Sequence, residues 1–469
     1  MKYLILLLGS IIPFSISQVN AQTQNQFQYN FELGSTVSSS KLPPFWLLSN
    51  QYGMLAPHQF NSWLRTGFKA KFREAKPVNF SLGMEGINSY SQRNNLYLQQ
   101  VFAKVNIGFV RLQGGLIEEK FGNQDSVLSS GGLLWSGNAR PMPKITFLVP
   151  KYTSIPFTKG YFEFKGGISH GWFGKSSFID KAWLHHKYFY FQFGGKLPFH
   201  MHYGFHHFAQ WGGVSRDSTF GKLPSSWDDY KKVFVADHGS NDAPSMESHN
   251  RLGNHLGTRN FGMDYAFKKW TIQLYWQNIF EDGSGLAYRN IRDGLWGISL
   301  KFTKENPLVK RLVLEYILTT DQSGEVDYTT INGVQYILGG NDNYFNHTIY
   351  AYGWSYRNMT IGTPLITSPA ILKGEKRDYI RNNKIKAIHA GINGNFQTIN
   401  YTILYTYSVN YGTNFYPFSK QLEQHATLLN IRVPDLLPYK FLLSLALGLD
   451  LGNLYGNSFG GEIRIGKSF

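Results

Sequence analysis

Cysteine is absent from the 469 residues. That excludes disulfides, thiolate-bound metal and a lipid-modified cysteine anchor. Long apolar runs are also missing beyond the N-terminus: "FLLSLALGL" (441–449) is about half the ~18 residues a membrane helix needs. Charge is sparse, at 16% of residues, and one-sided, with 46 Lys and Arg against 30 Asp and Glu. In their place stand 48 glycines and 16% aromatics within a moderate 42% hydrophobic content, an unusual balance for a soluble enzyme.

The N-terminus carries Lys2, an apolar run from Tyr3 to Ile16, and then Val19-Asn20-Ala21. A basic start, a short hydrophobic stretch and small residues at the end predict an export signal over 1–21. The mature chain is then 22–469, expected to be one domain, with a formal charge of +15 once Lys2 leaves the total of +16.

An exported chain with no membrane helix can still cross a bilayer as a closed β-barrel, since both structures satisfy every backbone polar group. The mark of a barrel is recurring segments of alternating residues separated by turns. Phe441, Leu443, Leu445, Leu447 and Leu449 alternate with Ser444, Ala446, Gly448 and Asp450. Ile272, Leu274 and Trp276 alternate with Thr271, Gln273 and Gln277, and a similar pattern runs through 398–408. It returns in 64–72, 79–85, 101–107, 161–167, 188–194 and 295–302. One face is bulky and apolar, the other small or polar. A water-soluble barrel this long would have a lumen too wide to fill with its own side chains. We therefore expect an all-β fold: a transmembrane antiparallel β-barrel of about eighteen strands, with loops plugging the lumen. The non-alternating stretches 38–61, 119–159, 212–257, 321–346 and 358–383 are expected to be extracellular loops or inward-folded plugs. The final segment "FGGEIRIGKSF" ends in Phe469 and resembles the signal read by the barrel-assembly machinery.

Several irregular stretches are distinctive. "KLPPFWLLSNQYGML" (41–55), "SGNARPMPKI" (136–145), "AWLHHKYFYFQFG" (182–194), "QWGG" (210–213), "QNIFEDGSGLAYRNIRDGLWGI" (277–298) and "NDNYFNHTIYAYGWSY" (341–356) resemble, in order, the Wzi family of outer-membrane proteins. That resemblance implies a barrel of about eighteen strands closed by loops or a small helical element. It also implies a lectin-like role in assembling and anchoring capsular polysaccharide, with no catalytic residues.

Candidate sugar contacts follow from residue chemistry. Vicinal hydroxyls donate and accept together, which suits Asp, Asn and Arg, while the apolar face of a sugar ring suits Trp and Tyr. Such mixtures occur at Trp135, Asn138 and Arg140; at Glu281, Asp282, Tyr288, Arg289, Asn290, Asp293 and Trp296; and at Asn341, Asp342, Asn343, Tyr344 and His347. Each group has a plainer reading as loop architecture, with Arg–carboxylate pairs holding the loops shut. "EDGSG" lacks the alternating acidic spacing and distal glutamate of a calcium loop. Neighbouring Glu281 and Asp282 do not by themselves make a glycosidase pair. In "HMHYGFHHF", His200, His202 and His206 share one face, and His185 and His186 point to opposite faces. A hydrogen-bonded lumen network accounts for them better than a metal does, so no metal or cofactor is expected.

The positive charge suits lipopolysaccharide phosphates, other outer-membrane lipid and acidic extracellular or capsular polysaccharide. Nucleic acid is not expected as the partner of an exported barrel. The expected protein is a monomer in the outer membrane that binds capsular polysaccharide and helps attach or organise it. The rival classes are a porin-like channel and an outer-membrane hydrolase.

Overall fold

The computed structural model describes residues 26–469 except 176–177, 241–242, 250, 304–307, 326, 332–333, 341, 375–378 and 438–439. The predicted export signal lies outside the described residues. Eighteen strands form one antiparallel sheet in which each pairs with its neighbour in the chain. The first, Gln26–Ser38, also pairs with the last, Ser458–Ser468, through Asn30↔Ser468 to Ser38↔Gly460. The sheet is thus a closed barrel without free edges, as a lipid environment demands.

The pleat sorts side chains between lipid and lumen. In Phe441–Gly452, Leu445, Leu447, Leu449 and Leu451 are exposed on the outer wall, and Ser444, Ala446, Gly448 and Asp450 are buried facing inward. Small inward residues have a second use, because they admit loops close to the wall. A Cβ on Gly448 would stand 2.7 Å from Pro44, the residue leading into the helical turn Phe45–Leu48 inside the barrel.

The two ends of the barrel differ in their connections. At one end they are turns of two to eight residues; at the other they include 39–59, 117–142, 212–253, 281–293 and 319–384. Short periplasmic turns and long extracellular loops are the rule for outer-membrane barrels, which orients the chain.

The loop expectation needs two corrections. Within 119–159, residues Pro143–Ser154 form a barrel strand. Its outward Ile145 and Phe147 alternate with Lys144 and Thr146, but the register shifts between Val149 and Thr153. Pro150 lies at that irregularity, where its missing N–H is tolerated, and it broke the visible pattern. The stretches 321–346 and 358–383 belong to one connection, 319–384, which contains a small hairpin, Asp327–Ile331 with Val334–Gly339.

The long loops fill the extracellular part of the lumen. Their apolar residues join inward wall residues in one core that includes Phe45, Trp46, Leu128, Leu133, Tyr344, Phe345, Tyr350 and Trp354. Polar clasps tie this plug to the wall. Glu315 accepts from Ser130 N and Oγ (2.8 and 2.5 Å), Gln277 accepts from Leu133 N (3.0 Å), and Gln210 donates to Gly353 O (3.1 Å). Ion pairs also tie the wall to the 117–142 loop. Arg65 bridges Glu85 (2.6 Å) and Glu118 (3.1 Å), and Lys144 meets Glu119 (2.5 Å).

Candidate functional site

The rim segment 281–293 and the plug segment 342–347 come together. Asp282 caps the helical turn Gly283–Leu286, accepting from Ser284 N (2.8 Å) and Gly285 N (3.1 Å). Glu281 accepts from Phe345 N at 2.8 Å. Asp293 accepts from Asp321 N (3.0 Å) and Gln322 N (2.7 Å). Fully buried Asn290 donates to Ile279 O (2.7 Å) and Tyr344 Oη (2.6 Å). Asp342 accepts from Ser323 Oγ at 2.6 Å, and Asn343 accepts from Asn383 Nδ2 at 2.6 Å. His347 Nδ1 accepts from the amides of Ile349 and Tyr350, both at 3.2 Å. These side chains direct their polar atoms at loop backbone and at one another.

The electrostatics of this cluster follow from burial. Glu281 is pushed well above the ordinary carboxylate range by burial and then by Asp342. Burial, followed by the charge of Asp282, pushes Asp342 up to about 7. Asp293 is pushed up to about 6 by burial, which outweighs the two amides that favour its charged form. Burial also lowers His347 to about 4. Arg289 and Arg292 occupy exposed positions on the same rim. The arginine that grips the segment comes from the strand Asn254–Ala266: Arg259 donates to Gly285 O (2.6 Å) and lies over Tyr288, 3.8 Å from the ring centre.

The other sequence candidates sit elsewhere. Trp135 is packed in the plug, stacked near His186 and Phe208, with Lys144 Nζ 4.4 Å from its ring centre. Asn138 is fully buried, donating to Thr360 and Ser368. Arg140 lies over Tyr97 at 3.8 Å and donates to Leu98 O (3.0 Å). Trp296 projects from the outer wall, stacked on Trp276 at 4.9 Å, in an apolar surface with Leu274, Ile298 and Leu314. Period-two geometry places it towards lipid, apart from the charges beside it in sequence. Asn341 lies outside the described residues.

The histidines divide as their alternation predicts. His186 and His206 meet inside the barrel at 3.0 Å, while His185 Nδ1 meets Tyr230 Oη at 3.2 Å on the outer wall. His200 and His202 both meet a carboxylate, Asp264 on the adjacent strand. Sequence spacing could not show it, because the partner is cross-strand. Among the described residues no group of three His, Asp or Glu side chains is arranged to hold a metal ion.

An open cleft of about 680 Å³ lies at the extracellular rim, lined by Trp172, Tyr352, Tyr356, Tyr379, Lys175, Arg216, Arg357 and Asn358 among others. Three distant stretches of chain build it. Trp172, about one-third exposed, lies near the end of the barrel strand Phe162–Gly174. Arg216 comes from the 212–253 loop, paired with Asp180 at 3.2 Å. Arg357 and Asn358 form the tip of a hairpin between Ser355–Tyr356 and Met359–Thr360. Both have positive φ (53° and 65°), the type I′ geometry that suits two-residue hairpins. Tyr379 Oη donates to Asn358 Oδ1 at 3.0 Å, steadying the tip. Aromatic faces beside three cations and an amide are equipped for sugars and for anionic groups. Sequence reasoning missed these residues, although Tyr352 and Tyr356 fall inside one of the distinctive stretches.

A closed eighteen-stranded barrel with outward apolar residues, short turns at one end and a folded plug at the other is an outer-membrane β-barrel protein. The family model described as "Capsule assembly protein Wzi" matches residues 31–366, and the chain belongs to that family. Among solved structures it is similar to Wzi of Escherichia coli, at 13% identity over 94% of this chain and 84% of that one, with a TM-score of 0.59. That protein is described as an outer-membrane, carbohydrate-binding β-barrel involved in group 1 capsule assembly. The chain also matches Pseudomonas aeruginosa OccK5 at 9% identity over 95% of this chain and 98% of that one, with a TM-score of 0.49. No curated protein matches the chain.

Proposed function

We propose that this barrel binds extracellular capsular polysaccharide at its outer rim and helps attach or organise it at the cell surface. The observation that carries the reading is the cleft, where Trp172 and three tyrosines stand beside Lys175, Arg216, Arg357 and Asn358. Aromatic faces take the apolar side of a sugar ring, and the guanidinium groups suit the carboxylates of acidic sugars. Each contact is modest, and a polymer that presents the same sugar many times converts modest contacts into lasting attachment. Binding needs no covalent chemistry. Glu281 accepts from Phe345 N and Asp282 from Ser284 N at the start of a helical turn, engagements that support binding over hydrolysis. The plug supports binding over a porin-like channel.

The test is the partition of polymer between cell surface and medium at equal total synthesis. Cells with the intact protein, without it, and with Trp172→Ala plus Arg357→Ala are compared. The polymer should move to the medium in the last two. Loss of a single aromatic contact, about 1 kcal/mol, corresponds to roughly fivefold in affinity per site. Unchanged partition in cells lacking the protein would sink the reading. Unchanged partition in the double variant alone would move the site away from the cleft.

A further inference from the structure

Part of the 212–253 connection folds down the outside of the barrel. Its helix Trp227–Val235 begins at Ser226, which accepts from Asp229 N while the Asp229 carboxylate accepts from Ser226 N. One face, with Tyr230 and Val233, packs on Trp183, Ala209 and Trp211 of the barrel. Tyr230 also meets His185, and Lys187 Nζ bonds to Phe234 O. Residues 183, 185, 187, 207, 209 and 211 are on the outward side of the pleat, in register with outward Phe189, Phe205 and Phe191 further down the same strands.

The wall under the helix differs from the wall opposite. Along Phe199–Trp211 the outward apolar residues are Phe199, Met201, Tyr203 and Phe205, after which His207 follows. Along the neighbouring strands the outward series gives way to Lys187 and His185, and to Arg259 and His255. Opposite, Phe441 to Leu451 continues for six outward positions. At about 3.3 Å per residue and a tilt near 40°, the first run spans roughly 15 Å of membrane and the second about 25 Å, the height of a full apolar band. The shortfall of about 10 Å is close to the diameter of one α-helix.

The helix covers these polar wall positions: His185, His207 and His255 are all buried. Its outer side carries Trp227 (72% exposed) and Val235 (66%) beside the exposed ion pair Lys231–Asp228 (2.5 Å), with Phe234 (37%) at the edge, its ring against His185 and Lys187 of the wall. A helix facing water alone would keep groups as large and apolar as Trp227 and Val235 covered. Tryptophan with apolar neighbours and a nearby lysine is the composition of a membrane interface.

We infer that the helix Trp227–Val235 is an outer-leaflet anchor, completing the barrel's apolar belt by seating Trp227 and Val235 among the acyl chains of the outer leaflet. This stands independently of polysaccharide binding. Its consequence is directional: the short side of the barrel is fixed at a definite depth, and Arg216, eleven residues before Trp227 in the same connection, is held beside the cleft.

Because the chain has no cysteine, single labels can be placed on the otherwise unchanged protein. Val235→Cys and Trp227→Cys are labelled with a nitroxide and placed in vesicles containing lipopolysaccharide. Leu445→Cys serves as the lipid-facing reference and Gln92→Cys as the aqueous one. Each variant is used only when its circular dichroism shows the intact barrel. The anchor predicts that Val235→Cys favours oxygen over a water-soluble nickel complex, as Leu445→Cys does, with Trp227→Cys between the two references. Nickel accessibility at Val235→Cys matching that of Gln92→Cys overturns the inference. Spin–spin broadening at Val235→Cys would assign the face to a second copy of the chain and overturn it as well.

Discussion

Asn138 and Arg357 show how one residue type pattern can serve two ends. Both belong to mixed polar and aromatic stretches, yet Asn138 is fully buried between Thr360 and Ser368, and Arg357 stands at a hairpin tip lining an open cleft. Asn138→Ala removes a donor whose acceptors stay buried, a cost of about 1–3 kcal/mol. Limited proteolysis should therefore cut the plug loops faster in Asn138→Ala, while the folded fraction binds polymer as before. Arg357→Ala should do the reverse, with unchanged proteolysis and weaker binding. Equal effects of the two substitutions on both measurements would refute this division between plug and cleft.

The loop elements are held by carboxylates whose proton affinity is raised, which gives the plug a pH dependence of definite sign. Asp342 rises from 3.8 to about 7 and Asp293 from 3.8 to about 6, both through burial first. The folded loops therefore hold protons that unfolded loops would release. Their contribution is fully present below the ordinary aspartate value and is lost as pH rises through about 6 and then 7. Hydrogen exchange at the amides of Gln322 and Phe345, corrected for intrinsic rates, should show stronger protection at pH 5 than at pH 8. Asp342→Asn should flatten that difference. Greater protection at pH 8 would contradict the sign.

At the scale of the molecule, an eighteen-stranded barrel has room for an aqueous channel, and the plug decides whether it conducts. The loop core joins wall residues across the lumen, and Trp354, fully buried, donates from its indole to Leu134 O at 2.6 Å. The intact protein should show little conductance in planar bilayers. Trp354→Ala, which costs about 3–5 kcal/mol of packing, should raise it or make it flicker. A large, steady conductance from the intact protein would restore the channel reading.

Much of this organisation is local and therefore legible in the chain. Alternation has a period of two residues, so Leu445 and Ala446 declare opposite faces without knowledge of any partner. Recurrence of that pattern, together with the missing membrane helix, was enough for an eighteen-stranded barrel, and the distinctive irregular stretches were enough for the family. Even the helix beside the wall is marked locally, by the capping pattern of Ser226 and Asp229. Pro150 hid one strand because a bulge interrupts the period. What the chain could not declare was which loop faces which solvent. Trp296 lies three residues from Asp293, yet one faces lipid and the other is sealed in the rim, because the pleat turns adjacent positions to opposite sides. Trp172, Arg216, Arg357 and Tyr379 share a cleft although up to some two hundred residues separate them, and only barrel closure and loop packing bring them together. Neighbourhood in sequence fixes a residue's chemistry and its local conformation; the company it keeps across the lumen is set by long-range packing, which no local period encodes.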